Sequence, residues 1–203
     1  MQYEDEIIGK DAGQSEPEEW QDTLDNKVNV GRSALFLLRD ILIAVGVIIL
    51  VLQFIKPTIV FEHSMEDTLH PEDYVFLARQ AYTFGDVKFG DIVVFQSTLL
   101  DDRGVRKNLI KRVIGLPGDT ISIQDDAVYR NGDRLYEPYT KDGVTLGEMA
   151  TVTVPNDAYF VMGDNRLVST DSRSAVVGFV HEDSLEGKVF FRLFPISSAG
   201  RIN

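Results

Sequence analysis

Leu109-Ile110-Lys111-Arg112-Val113-Ile114-Gly115-Leu116-Pro117-Gly118-Asp119 reads as a strand that runs into a tight turn. Apolar and charged residues mix over 109–114, β-branched side chains are frequent, and Pro-Gly-Asp supplies the turn. On a strand, Leu109, Lys111 and Val113 share one face, and Ile110, Arg112 and Ile114 share the other. That placement points Lys111 into an apolar layer, while Arg112 pairs or reaches solvent on the opposite side. Short segments of the same kind recur at residues 74–78, 91–95, 120–123 and 188–191, with Gly-Asp and Asn-Gly pairs between them. Residues 128–136 read as a hairpin turned at Asn131-Gly132. No long amphipathic helix is evident beyond residue 56, so the soluble part is expected to be mostly β.

Ahead of these strands lies an apolar segment. Its uninterrupted part covers residues 41–55, about 22 Å as a helix. A bilayer span needs roughly 20 residues, which is reached by adding residues 33–38 and including Arg39 and Asp40. Those two can pair or snorkel near one interface. A cleavable signal peptide would start with basic residues and end at small ones. This segment instead follows an acidic stretch and runs into Lys56-Pro57-Thr58-Ile59, so it is read as an uncleaved anchor. Arg32 and Arg39 precede it and Lys56 follows it, which places the N-terminus in the cytoplasm and the β-rich part outside.

The expected organisation is therefore an acidic, disordered cytoplasmic tail over residues 1–31, a transmembrane anchor over 32–56, and an extracytoplasmic β-rich domain over 57–203. The chain carries −12 overall. Residues 1–31 hold nine acidic and two basic side chains, so most of that charge sits in the tail. Trp20 is the one candidate contact point there. The remaining charge is ordinary, and a basic nucleic-acid footprint is missing. There is no cysteine, which excludes disulfides, a thiolate metal site and a cysteine nucleophile. His63, His70 and His181 show no metal-ligand spacing.

Ser64-Met65 follows the apolar segment closely. A serine hydroxyl attacks a carbonyl only when something removes its proton. His63 is adjacent to Ser64 and diverges from it on a strand; His70 and His181 have no triad context. A lysine can serve if burial lowers its pKa toward neutrality. Lys111 has the apolar neighbours for that, whereas on an exposed sheet edge it would carry no chemistry. A dense polar run over residues 163–173 follows the strand-like Tyr159-Phe160-Val161-Met162. It could be a surface loop alone. As a supporting shell, Ser169 would hydrogen-bond the lysine amine, and Asp171 would pair with Arg173 and pin the loop. Asp171 is expected to face Arg173, because a carboxylate near Lys111 would raise its pKa.

Together these blocks resemble the type I signal peptidases of bacteria. The likeness rests on residues 64–69, 90–95, 111–119, 163–173 and 191–195, in the family's order behind an anchor. The resemblance implies a signal-peptidase-like β catalytic domain of the compact Gram-positive kind behind one N-terminal transmembrane helix. It implies removal of signal peptides from exported preproteins after a small residue, with another small residue three positions before the cut. Ser64 would be the nucleophile and Lys111 the general base, with Ser169, Asp171, Arg173 and Asp164 in support. No cofactor is implied. Preproteins, the lipid bilayer and the secretion translocon are the expected partners. The Ser64 backbone N–H would donate to the oxyanion, and Phe61, Met65 and Leu69 would form an apolar surface facing substrate or membrane.

Two positions depart from the family pattern. Asp67 stands where Ser-Met-x-Pro-Thr has proline, which stiffens the backbone beside the nucleophile. Glu62 stands where glycine or serine is usual. On a strand it would share a face with Ser64, oppose the developing oxyanion and favour protonated Lys111. These departures motivate an alternative, a narrow-specificity or non-catalytic relative that binds peptides or assists assembly.

Overall fold

The computed structural model describes residues 19–83 and 85–202, with side chains from Ser33 onward. The expectations for residues 1–18, and for the Trp20 side chain, lie outside the described residues. Helix α1 runs over Glu19–Phe54. It begins earlier than the sequence predicts, because Glu19 to Gly31 holds no proline and an apolar helix nucleus next to it propagates at little cost per residue. Ser33–Phe54 is the one stretch among the described residues that is long and apolar enough to cross a membrane. Its 22 residues give about 33 Å of helix. Arg39 and Asp40 form an ion pair at 2.8 Å within it, and the Arg39 guanidinium also lies 5.3 Å from the Phe36 ring. The helix stops where Pro57 biases Lys56 to extended backbone.

Residues 50–203 form a separate unit, built on two antiparallel sheets. Its strands are β1 (Ile55–Ile59), β2 (Tyr74–Ala78), β3 (Ile92–Leu100), β4 (Arg106–Gly115), β5 (Thr120–Gln124), β6 (Ala127–Arg130), β7 (Asp133–Arg134), β8 (Met149–Thr153), β9 (Ala158–Met162), β10 (Val180–His181), β11 (Leu185–Phe194) and β12 (Gly200–Arg201). The large sheet has the order β1-β2-β11-β3-β4-β9-β10, with β12 added on β11. The small sheet, β7-β6-β5-β8, is inserted between β4 and β9. Asn131 and Gly132 both have positive φ, 55° and 88°, as the two-residue turn between β6 and β7 requires. Pro57 sits on β1, an edge strand, where its missing N–H interrupts no ladder.

β4 positions the site because it borders all three apolar cores. Ile110 packs on the cluster of Val60, Met65, Leu69, Val75, Leu77 and Val94. Leu109 and Val113 belong with Val93, Phe95 and Val161. Ile114 joins Ile121, Ile123, Val128 and Phe160 beneath the small sheet. A strand so enclosed keeps its polar members buried as well. Lys111 is 0% exposed and Arg112 is 2% exposed.

Candidate active site

Ser64 lies on a short 3-10 turn, His63–Met65, rather than on a strand. That changes which side chains share a direction. Ser64 and Met65 turn inward and are buried, while Glu62, in extended conformation just before the turn, is exposed. One expectation needs correction here. Leu69 is fully buried in a core cluster and so faces neither substrate nor lipid; Met65, though buried, lines the adjoining groove. The tight turn directs Met65 into the sheet, and the Leu69 N–H closes a further turn onto the Met65 carbonyl at 2.8 Å. Phe61 alone of the three is exposed, at 81%.

The Lys111 amine donates to Ser64 Oγ at 2.6 Å and to the Ile110 carbonyl at 3.1 Å. Burial pushes the Lys111 pKa below its ordinary value; the Glu62 carboxylate, then Asp171 and Asp164, oppose that shift. A neutral amine held by the Ile110 carbonyl through one N–H can present its lone pair to the Ser64 hydroxyl. Ser169 does not take the place expected for it. Its Oγ is buried and has no hydrogen-bond partner among the described residues; the amine's second acceptor is the Ile110 carbonyl.

The run over 163–173 packs against the nucleophile turn instead. Asn165 N–H donates to the Ser64 carbonyl at 3.0 Å, and the Asn165 side-chain amide donates to the His63 carbonyl at 3.2 Å. Asp171 pairs twice with Arg173, both contacts at 2.8 Å, and accepts the Gly163 N–H at 3.0 Å. Gly163 is needed for close approach. A Cβ there would overlap Ser169 Oγ and the Ser64 carbonyl oxygen. Gly163→Ala is therefore expected to displace the Ser64 turn and lower peptide cleavage by about 100-fold, an effect typical of ångström-scale misplacement. Full activity in a folded Gly163→Ala chain would contradict that packing.

Asp164 is 0% exposed and holds Arg112 through contacts of 2.9 and 2.8 Å. Thr68 Oγ1 donates to the same carboxylate at 2.5 Å. The Arg112 guanidinium also stacks 4.1 Å over Tyr139 from the segment between β7 and β8 of the small sheet. Arg166 reaches Glu137 in that segment at 2.6 Å and donates to Thr145. Lys141 bonds Glu66 at 2.6 Å, and His63 lies 2.6 Å from the same carboxylate. These two contacts pull the half-buried Glu66 carboxyl down to about 2. No role was expected from the sequence for Asn165, Thr68, Glu66, Glu137 or Tyr139. Asn165 lies inside the polar run, and Glu66 and Thr68 lie inside the 64–69 block, whereas Glu137 and Tyr139 carried no signal.

A groove of about 630 Å³ opens beside Ser64, between the continuation of β1 and the first half of β4, which β9 leaves unpaired on that side. Phe61, Glu62 and Ile110 line it close to the nucleophile, and Lys56 and Arg106 line it further away. Among the described residues, no group of three or more His, Asp or Glu side chains converges to hold a metal.

The family described as "Signal peptidase, peptidase S26" matches residues 34–194. Signal peptidase I of Bacillus amyloliquefaciens is 38% identical over 169 residues, covering 78% of this chain and 87% of that protein. Signal peptidase I T of Bacillus subtilis (strain 168) is also 38% identical over 169 residues, covering 78% and 84%. Among solved structures, a signal peptidase I from Enterococcus faecalis V583 is 36% identical; the match covers 51% of this chain and 97% of that one, with a TM-score of 0.42.

Proposed function

The chain belongs to the signal peptidase I family of serine endopeptidases, and from that premise we propose that Ser64 and Lys111 are its catalytic pair. It is a single-pass membrane protein with an extracytoplasmic β-rich catalytic domain. The observation that carries the residue assignment is the 2.6 Å contact between Lys111 Nζ and Ser64 Oγ, with the amine buried and its pKa lowered by that burial.

The chemistry follows from this pair. Neutral Lys111 takes the Ser64 proton as Oγ adds to the scissile carbonyl. The Ser64 N–H is the proposed donor to the oxyanion. Protonated Lys111 then delivers its proton to the departing amine, and the acyl group stays on Ser64. Water, deprotonated by Lys111, releases the acyl group and restores the serine. Asp164, Asp171, Arg173 and Ser169 are proposed as positioning residues. Asp171 and Arg173 fix the loop whose Gly163 abuts Ser64, Ser169 fills the space beside that glycine, and Asp164 fixes Arg112 next to the base. Exported preproteins are the proposed substrates, lying extended in the groove. The translocon is a proposed neighbour in the membrane.

Cleavage of a detergent-solubilised preprotein by wild type, Ser64→Ala and Lys111→Ala, with the new N-terminus read by mass spectrometry, tests the assignment. Cleavage after a small residue by wild type alone is expected. Cleavage by a folded Ser64→Ala chain would remove Ser64 from the mechanism.

Glu62 favours a narrowed version of this activity. Its carboxylate is the strongest of those that raise the Lys111 pKa. The base must be neutral, so cleavage rises as pH climbs through the Lys111 pKa, and Glu62 moves that rise to higher pH. Glu62→Gln is expected to shift the acid limb of the kcat/KM profile to lower pH, and Glu62→Gly to raise the single-turnover acylation rate near neutrality. An unmoved acid limb with no gain in acylation would show that Glu62 does not act on the base.

A further inference from the structure

The groove has a direction and a charge polarity. From β1 to β4 the large sheet passes through four antiparallel pairings, β1 with β2, β2 with β11, β11 with β3 and β3 with β4. β1 and β4 therefore run the same way. Both walls of the groove converge on the contact between Ser64 and Lys111. Moving back along them leads to Lys56 on one wall and Arg106 on the other. Arg106 lies five positions before Lys111, about 16 Å in an extended strand. On alternation it shares the groove-lining set with Asn108 and Ile110.

The two ends differ in charge. Glu62 is the acidic side chain at the nucleophile end. At the far end, Arg106 and Lys107 are exposed and enter no ion pair among the described residues, and Lys56 makes only a 3.9 Å contact with Glu186. Arg103 is already matched by Asp101 at 3.0 Å. The far end also lies close in the chain to the membrane, since Lys56 is two residues past Phe54, the last residue of the apolar helix. A signal-bearing substrate has its apolar part upstream of the cut. Its upstream residues must therefore lead toward Lys56 and Arg106, and the residues at the cut must lie by Glu62.

We propose that this groove selects preproteins by charge polarity, favouring an acidic side chain five or six residues before the cut, met by Arg106, and a basic side chain next to the cut, met by Glu62. The proposal rests on the peptidase reading above and gives it a substrate class. It also gives Glu62 a use that offsets its opposition to the base. Both residues are specificity determinants rather than catalytic ones.

Three preproteins with the same small residues at the cut distinguish the cases. One is neutral at the two positions. One carries Asp six residues upstream and Lys at the residue before the small one at the cut. One has those two charges exchanged. With full-length protein in neutral detergent at low ionic strength, kcat/KM for the matched substrate is expected to exceed that for the exchanged one by about tenfold. The ratio should shrink toward one at about 0.5 M salt. Arg106→Glu should invert the upstream preference, and Glu62→Lys should invert the preference at the cut. Each is read as a ratio within one variant, so a general loss of activity does not mimic it. Equal cleavage of all three by wild type would overturn the proposal and leave the peptidase reading standing. Cleavage of none would overturn both. Loss in Arg106→Glu that is equal for all three substrates, and confined to anionic vesicles, would assign the basic end to lipid phosphates and overturn the proposal.

Discussion

Lys111→Met is expected to lower preprotein cleavage by at least about 1,000-fold while leaving the β-rich unit folded. The lysine is 0% exposed and its amine touches Ser64 Oγ and the Ile110 carbonyl. Methionine fills a similar volume and removes the base without opening a large cavity. It also removes the cost of keeping an ionisable group out of water, so the melting temperature should hold or rise. Lys111→Arg separates base chemistry from mere positive charge. A guanidinium cannot lose its proton in a protein, so this variant should be as inactive as Lys111→Met. The measurement is the initial rate on a solubilised preprotein, paired with thermal unfolding of each variant. A tenth or more of wild-type activity in Lys111→Arg would mean that Lys111 does not act as the base.

The parts of this site that the sequence disclosed are those where local pattern and tertiary environment agree. Alternation around Lys111 placed it on an apolar face, and β4 buries it there because three cores meet on that strand. Tyr74–Ala78 is a strand over the residues its β-branched and aromatic composition marks out. The nucleophile segment was harder to read. Strand alternation applied to residues 61–65 puts Glu62 beside Ser64, whereas the 3-10 turn at His63–Met65 separates them and sends Met65 into the core. A three-residue turn leaves too little periodicity to detect. Glu137, Tyr139 and Thr145 were illegible for another reason. They act from a loop 21 to 29 residues away in sequence from the arginines they hold, and a single sequence carries no signal for such a pairing. Ser169 shows a third limit. Its type and place suited a bond to the lysine, but its Oγ makes no hydrogen bond among the described residues, and the amine's second acceptor is the Ile110 carbonyl, a backbone group that any residue would supply.

The ion pair beside the base yields the largest stability effect. Arg112 and Asp164 have side chains only 3% and 0% exposed. The carboxylate takes two guanidinium contacts and the Thr68 hydroxyl, and Arg112 also donates to the Gly90 carbonyl at 2.9 Å. Asp164→Ala would leave the guanidinium buried without that carboxylate, a change that typically costs about 3–5 kcal/mol. The pair does not contribute this much as a net gain, since most of the loss is the penalty of a buried charge deprived of its counterion. Two consequences distinguish this account from simple loss of packing. Asp164→Asn, which keeps the volume and one acceptor, should lose less than Asp164→Ala. Replacing both partners by apolar residues, Arg112→Met with Asp164→Leu, should recover a large part of the loss, because no buried charge remains. Activity should follow a different order. Arg112 and Asp164 brace the strand that carries Lys111 and the loop that carries Gly163, so the double variant should regain stability yet stay impaired in kcat. Denaturant midpoints in detergent, read beside kcat for the four proteins, decide the matter. An Asp164→Ala chain within about 1 kcal/mol of wild type would show that the pair is solvated in solution and does not brace the site.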